Sequence, residues 1–214
     1  LLKQSVEILS KIQIAHIPHI DKLDDESLTI QMDTIQSIFL EKFLSCRKLK
    51  ELEVLQSRAL SKLSEQPWMN CHFDFERRNL ILDSNNEIAV IDFQDLCIGP
   101  VGIDLAGIII DHYISYSDEL INNTLKHYIE SNQLDVSVEN VYEWLRWGGI
   151  QRNMRILGTL SNLYIQDNRT FRLKDLPGIL ENLIRLIPND EFMSIKEHLS
   201  SAVMPKLHEE LKAL

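Results

Sequence analysis

Apolar residues return at helical intervals at Leu2, Val6, Leu9 and Ile12, which predicts an amphipathic helix over residues 1–13. Residues 16–25 contain Pro18 and read as a connection. Helical spacing resumes over 35–43 and 49–63, the second stretch carrying Glu, Lys and Arg on its other face, and Pro67 ends it. Two short apolar runs, 80–82 and 88–91, flank Asp83-Ser84-Asn85-Asn86-Glu87, whose turn-forming residues predict a β-hairpin. Beyond Gly99-Pro100 the pattern is helical almost to the end, over 103–116, 119–131, 138–163, 176–186 and 191–211, with a break or kink at Pro205. One hairpin among seven or eight helices predicts a mainly α fold, α+β overall, with no internal repeat or low-complexity segment.

Composition narrows this picture modestly. A chain of 214 residues, 44% hydrophobic, can bury a proper core, and seven Gly with six Pro leave little room for a long flexible linker. The net charge of -10 argues against nucleic-acid or anionic-membrane binding, and a solvated helical surface accounts for it. Cys46, Cys71 and Cys97 are odd in number and lack metal-ligand spacing, so reduced thiols are expected. With no signal-peptide pattern and no apolar run of about 18 residues, the chain is expected to be soluble and cytoplasmic. It opens on Leu1-Leu2 already in a helical pattern, without an initiator Met, and reads as part of something longer.

The candidate chemistry is concentrated between Cys71 and Ala106. His72, Asp74 and Asn79 form an H-x-D-x-x-x-x-N frame, and the hairpin after it ends in Asp92, within Val-Ile-Asp-Phe. Phosphoryl transfer from ATP needs that order of parts: a carboxylate to orient the attacking hydroxyl and take its proton, then an amide oxygen and a second carboxylate to hold Mg²⁺ at the nucleotide phosphates. Asp74 takes the first role, and Asn79 and Asp92 the others, while His72 braces the loop. A lone H-x-D would be no more than an Asx-rich surface turn; the full constellation favours a kinase-type loop.

These residues resemble the aminoglycoside phosphotransferase and choline kinase superfamily, which has a protein-kinase-like fold. The resemblance rests on His72-Phe73-Asp74, Asn79-Leu80, Ile91-Asp92-Phe93-Gln94-Asp95, Gly99-Pro100 and Asp104-Leu105-Ala106. Within the superfamily the chain is most similar to bacterial anomeric sugar kinases, which phosphorylate N-acetylmuramic acid and N-acetylglucosamine during cell-wall recycling. Arg78-Asn79-Leu80, Asp111, the run GIQRNMRILG at 149–158, Tyr164-Ile165-Gln166-Asp167 and Asp175-Leu176-Pro177 carry that narrower likeness.

The resemblance implies a helical C-terminal lobe with a catalytic-loop hairpin, spanning residues 1–214. A Lys-bearing β-rich lobe that covers the nucleotide is expected to lie outside the chain, which alone is then expected to be inactive. It also implies that Asp104 ties down the catalytic loop, although a helix-dipole role at a helix N-terminus would suit it equally. Arg78, Gln94 and Asp95 become candidates for acceptor contact, with plain loop polarity as the alternative for Gln94. Asp111 falls two helical turns after Asp104 and is expected on a similar face, accepting sugar hydroxyls or else simply solvated. Trp147, Gln151 and Arg155 share a helical stripe suited to an acetamido sugar, with Arg155 able to pair with a lactyl carboxylate; packing against another helix is the competing explanation. Glu76 departs from the family pattern, which has a small or apolar residue there. The expected partners are thus ATP, Mg²⁺ and a small-molecule acceptor, most simply an amino sugar. An antibiotic- or choline-type kinase and a non-catalytic helical binding module are the rivals.

Overall fold

The computed structural model describes residues 1–214. In chain order it runs α1 (Leu2–Ile14), α2 (Asp25–Thr34) continuing as a π-helical stretch (Ile35–Phe43), α3 (Lys50–Ser64), β1 (Trp68–Cys71), β2 (Leu80–Leu82), β3 (Ile88–Val90), β4 (Cys97–Pro100) and α4 (Gly102–Ile109). Then follow α5 (Asp118–Asn132), α6 (Val138–Asp167), α7 (Leu176–Leu186), α8 (Asn189–His198), a π-helical turn (Leu199–Val203) and α9 (Met204–Ala213). The chain divides into two compact units, Leu1–Asp24 with Lys62–Gly149, and Asp25–Ser61 with Ile150–Leu214.

The first unit holds both sheets. β1 and β4 pair antiparallel with Trp68 opposite Pro100 and Cys71 opposite Cys97, and residues 21–23 bond to Ile98 on the other edge of β4. β2 and β3 form the expected hairpin, Leu80 opposite Val90, closed by Asp83, whose side chain accepts from the Asn85 and Glu87 amides. Helix α1 buries Val6 and Leu9, and its C-terminal carbonyls at Ile12 and Ala15 accept from the Asn70 amide on β1. Tyr128 and Asn132 of α5 bond to Gln13 and Ser10 of α1, which fixes the two helices side by side.

Gln66 fastens the start of α4 to α6: its Oε1 accepts from the Gly102 amide at 3.0 Å and its Nε2 donates to the Trp144 carbonyl at 3.1 Å. The backbones there nearly touch. A Cβ at Gly148 would stand 2.1 Å from the Gly102 carbonyl carbon, and one at Gly102 would stand 1.9 Å from the Trp144 oxygen. Gly148→Ala is therefore expected to destabilise by about 1–3 kcal/mol through overpacking, against the roughly 1 kcal/mol that helix propensity alone would add. Urea denaturation checks it, and an unchanged or raised midpoint would contradict this close approach.

In the second unit, Phe43 meets Tyr164 edge to face at 5.8 Å, Gly158 of α6 lies against Thr34, and Arg58 of α3 pairs with Glu191 of α8 at 2.7 Å. Leu28, Met32, Leu55, Ile179, Leu183, Leu199 and Val203 are among its fully buried apolar side chains.

Four features depart from the pattern-based expectation. Helix α2 was not foreseen: in its polar sequence only Leu28 and Met32 are buried, and Ile30 is exposed. The β1–β4 pair joins two four-residue strands far apart in the chain, too short for a periodic signal. The helix expected over 103–116 stops at Ile109, because Ile110 leaves helical geometry (φ -100, ψ 64) and Asp111 Oδ1 accepts from the Tyr113 amide at 2.7 Å. That local Asx turn competes with the next helical bond, and the isoleucine run before it is a weak helix former. Finally, the chain does not break at Pro205, which occupies the first turn of α9, where its missing N–H costs nothing; the residues bounding the π-helical turn before it are helical, and the non-helical residue of this stretch is Phe192 (φ -129, ψ 24).

Candidate active site

Asp104, in the first turn of α4, is almost wholly buried, and its carboxylate accepts from the amides of His72 at 2.6 Å and Phe73 at 2.9 Å. Phe73 is held in the left-handed region (φ 70), a costly conformation for a non-glycine residue that persists only where its surroundings enforce it. Two adjacent amides thus converge on one carboxylate, and the residue after them is Asp74. Burial, with the Asp104 charge next, pushes the Cys71 thiol well above its usual range, and Cys71 Sγ donates to the Pro100 carbonyl.

From Asp74 the chain turns through Glu76, whose amide donates to the Asp74 carbonyl, into a 3₁₀ turn, Arg77–Asn79. The Asn79 Nδ2 donates to the Asp74 carbonyl at 2.8 Å and to Asp74 Oδ2 at 3.2 Å. Both partners are acceptors, so the amide orientation is fixed and its oxygen is left for another ligand.

The hairpin returns to this loop at Ile91, whose amide donates to the Asn79 carbonyl at 3.0 Å and whose carbonyl accepts from His72 Nε2 at 3.0 Å. That bond assigns the proton to Nε2, and the buried Nδ1 has no partner. The His72 ring also lies edge-on to Phe75. With Ile91 clamped at both backbone groups, the next residue, Asp92, takes up a left-handed conformation (φ 67) and is exposed. His72, Phe73 and Asp104, Asp74 and Asn79, and the Ile91 backbone are thus joined by hydrogen bonds in the first unit, and Asp92 is the residue that follows the clamped Ile91. Gln94 and Asp95 follow Asp92 in an exposed turn.

An amide oxygen at Asn79 and a carboxylate at Asp92 are a hard-oxygen donor pair that fits Mg²⁺, an ion usually held by one or two carboxylates together with phosphate oxygens and water.

The acceptor-side candidates fall out differently. Asp111 is not two helical turns beyond Asp104; it lies past the end of α4, its side chain only 6% exposed and 3.4 Å from Arg77 Nε. Arg77 also lies over the Tyr113 ring at 5.3 Å. Arg78 pairs with Glu76, so the unexpected acid of the loop has a cation at hand. Burial, and then the Asp111 charge, raise the Tyr116 phenol. Trp147 is buried and its Nε1 donates to Glu143 at 3.1 Å, within the first unit. Gln151 and Arg155 belong to the second unit; Gln151 is fully buried with Nε2 donating to Gln31 at 2.8 Å, and Arg155 is half-buried. Gln151 is thus engaged with α2 through Gln31, while the Trp147 bond stays within α6. Arg77 was the residue overlooked: it lies inside the catalytic frame, and its pairing with Asp111 is invisible without the turn at 110–113.

The sequence profile of the phosphotransferase enzyme family matches residues 7–147. The chain is 30% identical over 132 residues to the N-acetylmuramate/N-acetylglucosamine kinase of Neisseria meningitidis serogroup B, covering 59% of this chain and 39% of that protein. It is 29% identical over 124 residues to the kinase of the same name from Pseudomonas aeruginosa, covering 56% and 36%. The chain therefore spans less than half the length of the curated relatives it matches. Among solved structures, the choline kinase of Streptococcus pneumoniae superposes with a TM-score of 0.58 at 16% identity, covering 86% of this chain and 63% of that one. A spectinomycin phosphotransferase, solved with ADP and spectinomycin, gives a TM-score of 0.51 at 16% identity over 93% and 65%. The fold is the kinase-like fold of these phosphotransferases, and the chain belongs to the phosphotransferase enzyme family.

Proposed function

We propose that the whole protein transfers the terminal phosphoryl group of ATP, with Mg²⁺, to the anomeric hydroxyl of N-acetylmuramic acid or N-acetylglucosamine. The observation that carries this reading is the pair of hydrogen bonds from Asn79 to Asp74. They engage Oδ2 and the backbone carbonyl, and leave Oδ1 to accept from an acceptor hydroxyl. Holding that hydroxyl in line with the phosphorus is most of what phosphoryl transfer asks of the protein. Asp74 takes the hydroxyl proton as the new P–O bond forms and the bond to the leaving ADP oxygen breaks. Mg²⁺, when bound by the Asn79 amide oxygen and the Asp92 carboxylate, supplies neutralisation of phosphate charge. Asp104 and His72 contribute by keeping the loop and the hairpin end in register. The sugar acceptor is supported by the names of the two relatives, and their partial overlap makes it the finer part of the proposal.

An acceptor panel with radiolabelled ATP and the whole protein tests it. Label is expected on both acetamido sugars, as an acid-labile anomeric phosphate. Label on spectinomycin or choline, with none on either sugar, would remove the acceptor assignment and leave the phosphotransferase chemistry standing.

A further inference from the structure

Arg77 lies in the catalytic loop, three residues after Asp74 and two before Asn79, and is fixed from two sides. Its Nε stands 3.4 Å from Asp111 Oδ2, and its guanidinium lies over the Tyr113 ring. Asp111 is in turn immobilised by accepting from the Tyr113 amide, so ring and carboxylate come from one short turn. The contact to Asp111 uses the inner edge of the guanidinium. The terminal Nη pair has no protein partner, and the Arg77 side chain is 46% exposed. A guanidinium held by its near edge and open at its far edge presents a planar fork of donors, the geometry that receives a carboxylate with two parallel bonds. Restraining it beforehand lowers the entropy that a flexible surface Arg would lose on binding.

The same geometry changes the meaning of Asp111. Its carboxylate is bonded to a backbone amide, paired with the guanidinium and almost wholly buried, so it acts as a positioning residue for Arg77. Arg78, the other cation of the loop, is held back on Glu76.

We infer that Arg77, positioned by Asp111 and Tyr113, is a specificity residue that receives the acceptor's carboxylate, so that the site favours N-acetylmuramic acid over N-acetylglucosamine. This rests on the acetamido-sugar reading above. The two sugars differ by the lactyl ether and its carboxylate, the anionic group for which the fork is built.

The test is kcat/KM for both sugars, and for the methyl ester of N-acetylmuramic acid, with the whole protein as wild type, Arg77→Gln, Arg77→Lys and Asp111→Asn. Wild type is expected to prefer the free acid to its ester, and Arg77→Gln to abolish that discrimination. The ratio for N-acetylmuramic acid over N-acetylglucosamine should fall about tenfold or more in Arg77→Gln, chiefly through KM for the acid. Lysine, a charge without a fork, should restore only part of it, and Asp111→Asn should shift the ratio in the same direction as Arg77→Gln. The ester comparison in wild type needs no variant to fold. Equal losses on both sugars would place Arg77 on the transferred phosphoryl group and overturn the inference, as would an unchanged ratio. If wild type phosphorylates neither sugar, the acceptor reading falls first and this inference with it; if both are phosphorylated without carboxylate preference, the inference alone falls.

Discussion

Replacing Asp92 with asparagine is expected to reduce phosphoryl transfer by the whole protein to background, with the alanine variant no better. Asp92 is the one charged member of the proposed Mg²⁺ donor pair, so its loss removes the formal negative charge the protein offers the ion. Asparagine is the sharper choice because the backbone at Asp92 is left-handed (φ 67), a conformation asparagine tolerates better than alanine. Folding should be spared: Asp92 is exposed, and the clamp on the preceding residue comes from Ile91 backbone groups that neither substitution alters. Thermal melting within a degree or two of wild type, with turnover lost across a Mg²⁺ titration and weakened Mg·ATP binding by calorimetry, is the expected set of results. Unchanged rate and nucleotide affinity would show that the metal is held elsewhere.

What the sequence disclosed about this site follows the range of the interactions involved. Asp74 and Asn79 bond across a single turn, and the hairpin that delivers Asp92 closes through Asp83 and its own neighbours, so a spacing rule captures both. The helices over 1–13, 49–63, 119–131 and 176–186 were legible for the same reason, each burying one face. The β1–β4 ladder was not, because its partners are sequence-distant and Cys-Ile-Gly-Pro has no alternating pattern to reveal it. Asp111 was misread for a subtler reason. Apolar residues continue through Ile110 as they would in a helix, and only the side-chain bond from Asp111 to the Tyr113 amide ends it. Once the helix is drawn too long, Asp111 points in the wrong direction and its partner Arg77 goes unnoticed. Gln151 and Trp147 illustrate a different ambiguity: a stripe of mixed residues can face a ligand or another helix, and in the structure both are buried, Gln151 bonding to Gln31 of α2 and Trp147 to Glu143 of its own helix.

A second large loss with little structural disturbance is expected from Asp74→Asn in the whole protein. The asparagine oxygen can still accept from Asn79 Nδ2 in place of Asp74 Oδ2, and the bonds to the residue 74 carbonyl from the Glu76 backbone amide and from Asn79 Nδ2 are unaffected. The two buried amide bonds to Asp104 that set the preceding residues also persist, so the loop geometry should survive. What disappears is a basic oxygen for the acceptor hydroxyl: an amide neither takes the proton nor orients the hydroxyl as strongly. General-base contributions run at about 10²–10⁴-fold, and kcat is expected to fall within that range. KM for ATP should stay within about twofold, since the proposed role of Asp74 is at the acceptor and not at the nucleotide. Asp104→Ala separates position from chemistry. It strips two buried amides of their acceptor, at about 1–3 kcal/mol for each group left unsatisfied, and should lower both thermal stability and kcat. A kcat loss in Asp74→Asn without a loss of stability, beside a joint loss in Asp104→Ala, would separate the residue that acts on the hydroxyl from the one that holds it in place. Wild-type turnover in Asp74→Asn would take Asp74 out of the base role, and the hydrogen bonds from Asn79 would then be no more than a way of closing a turn.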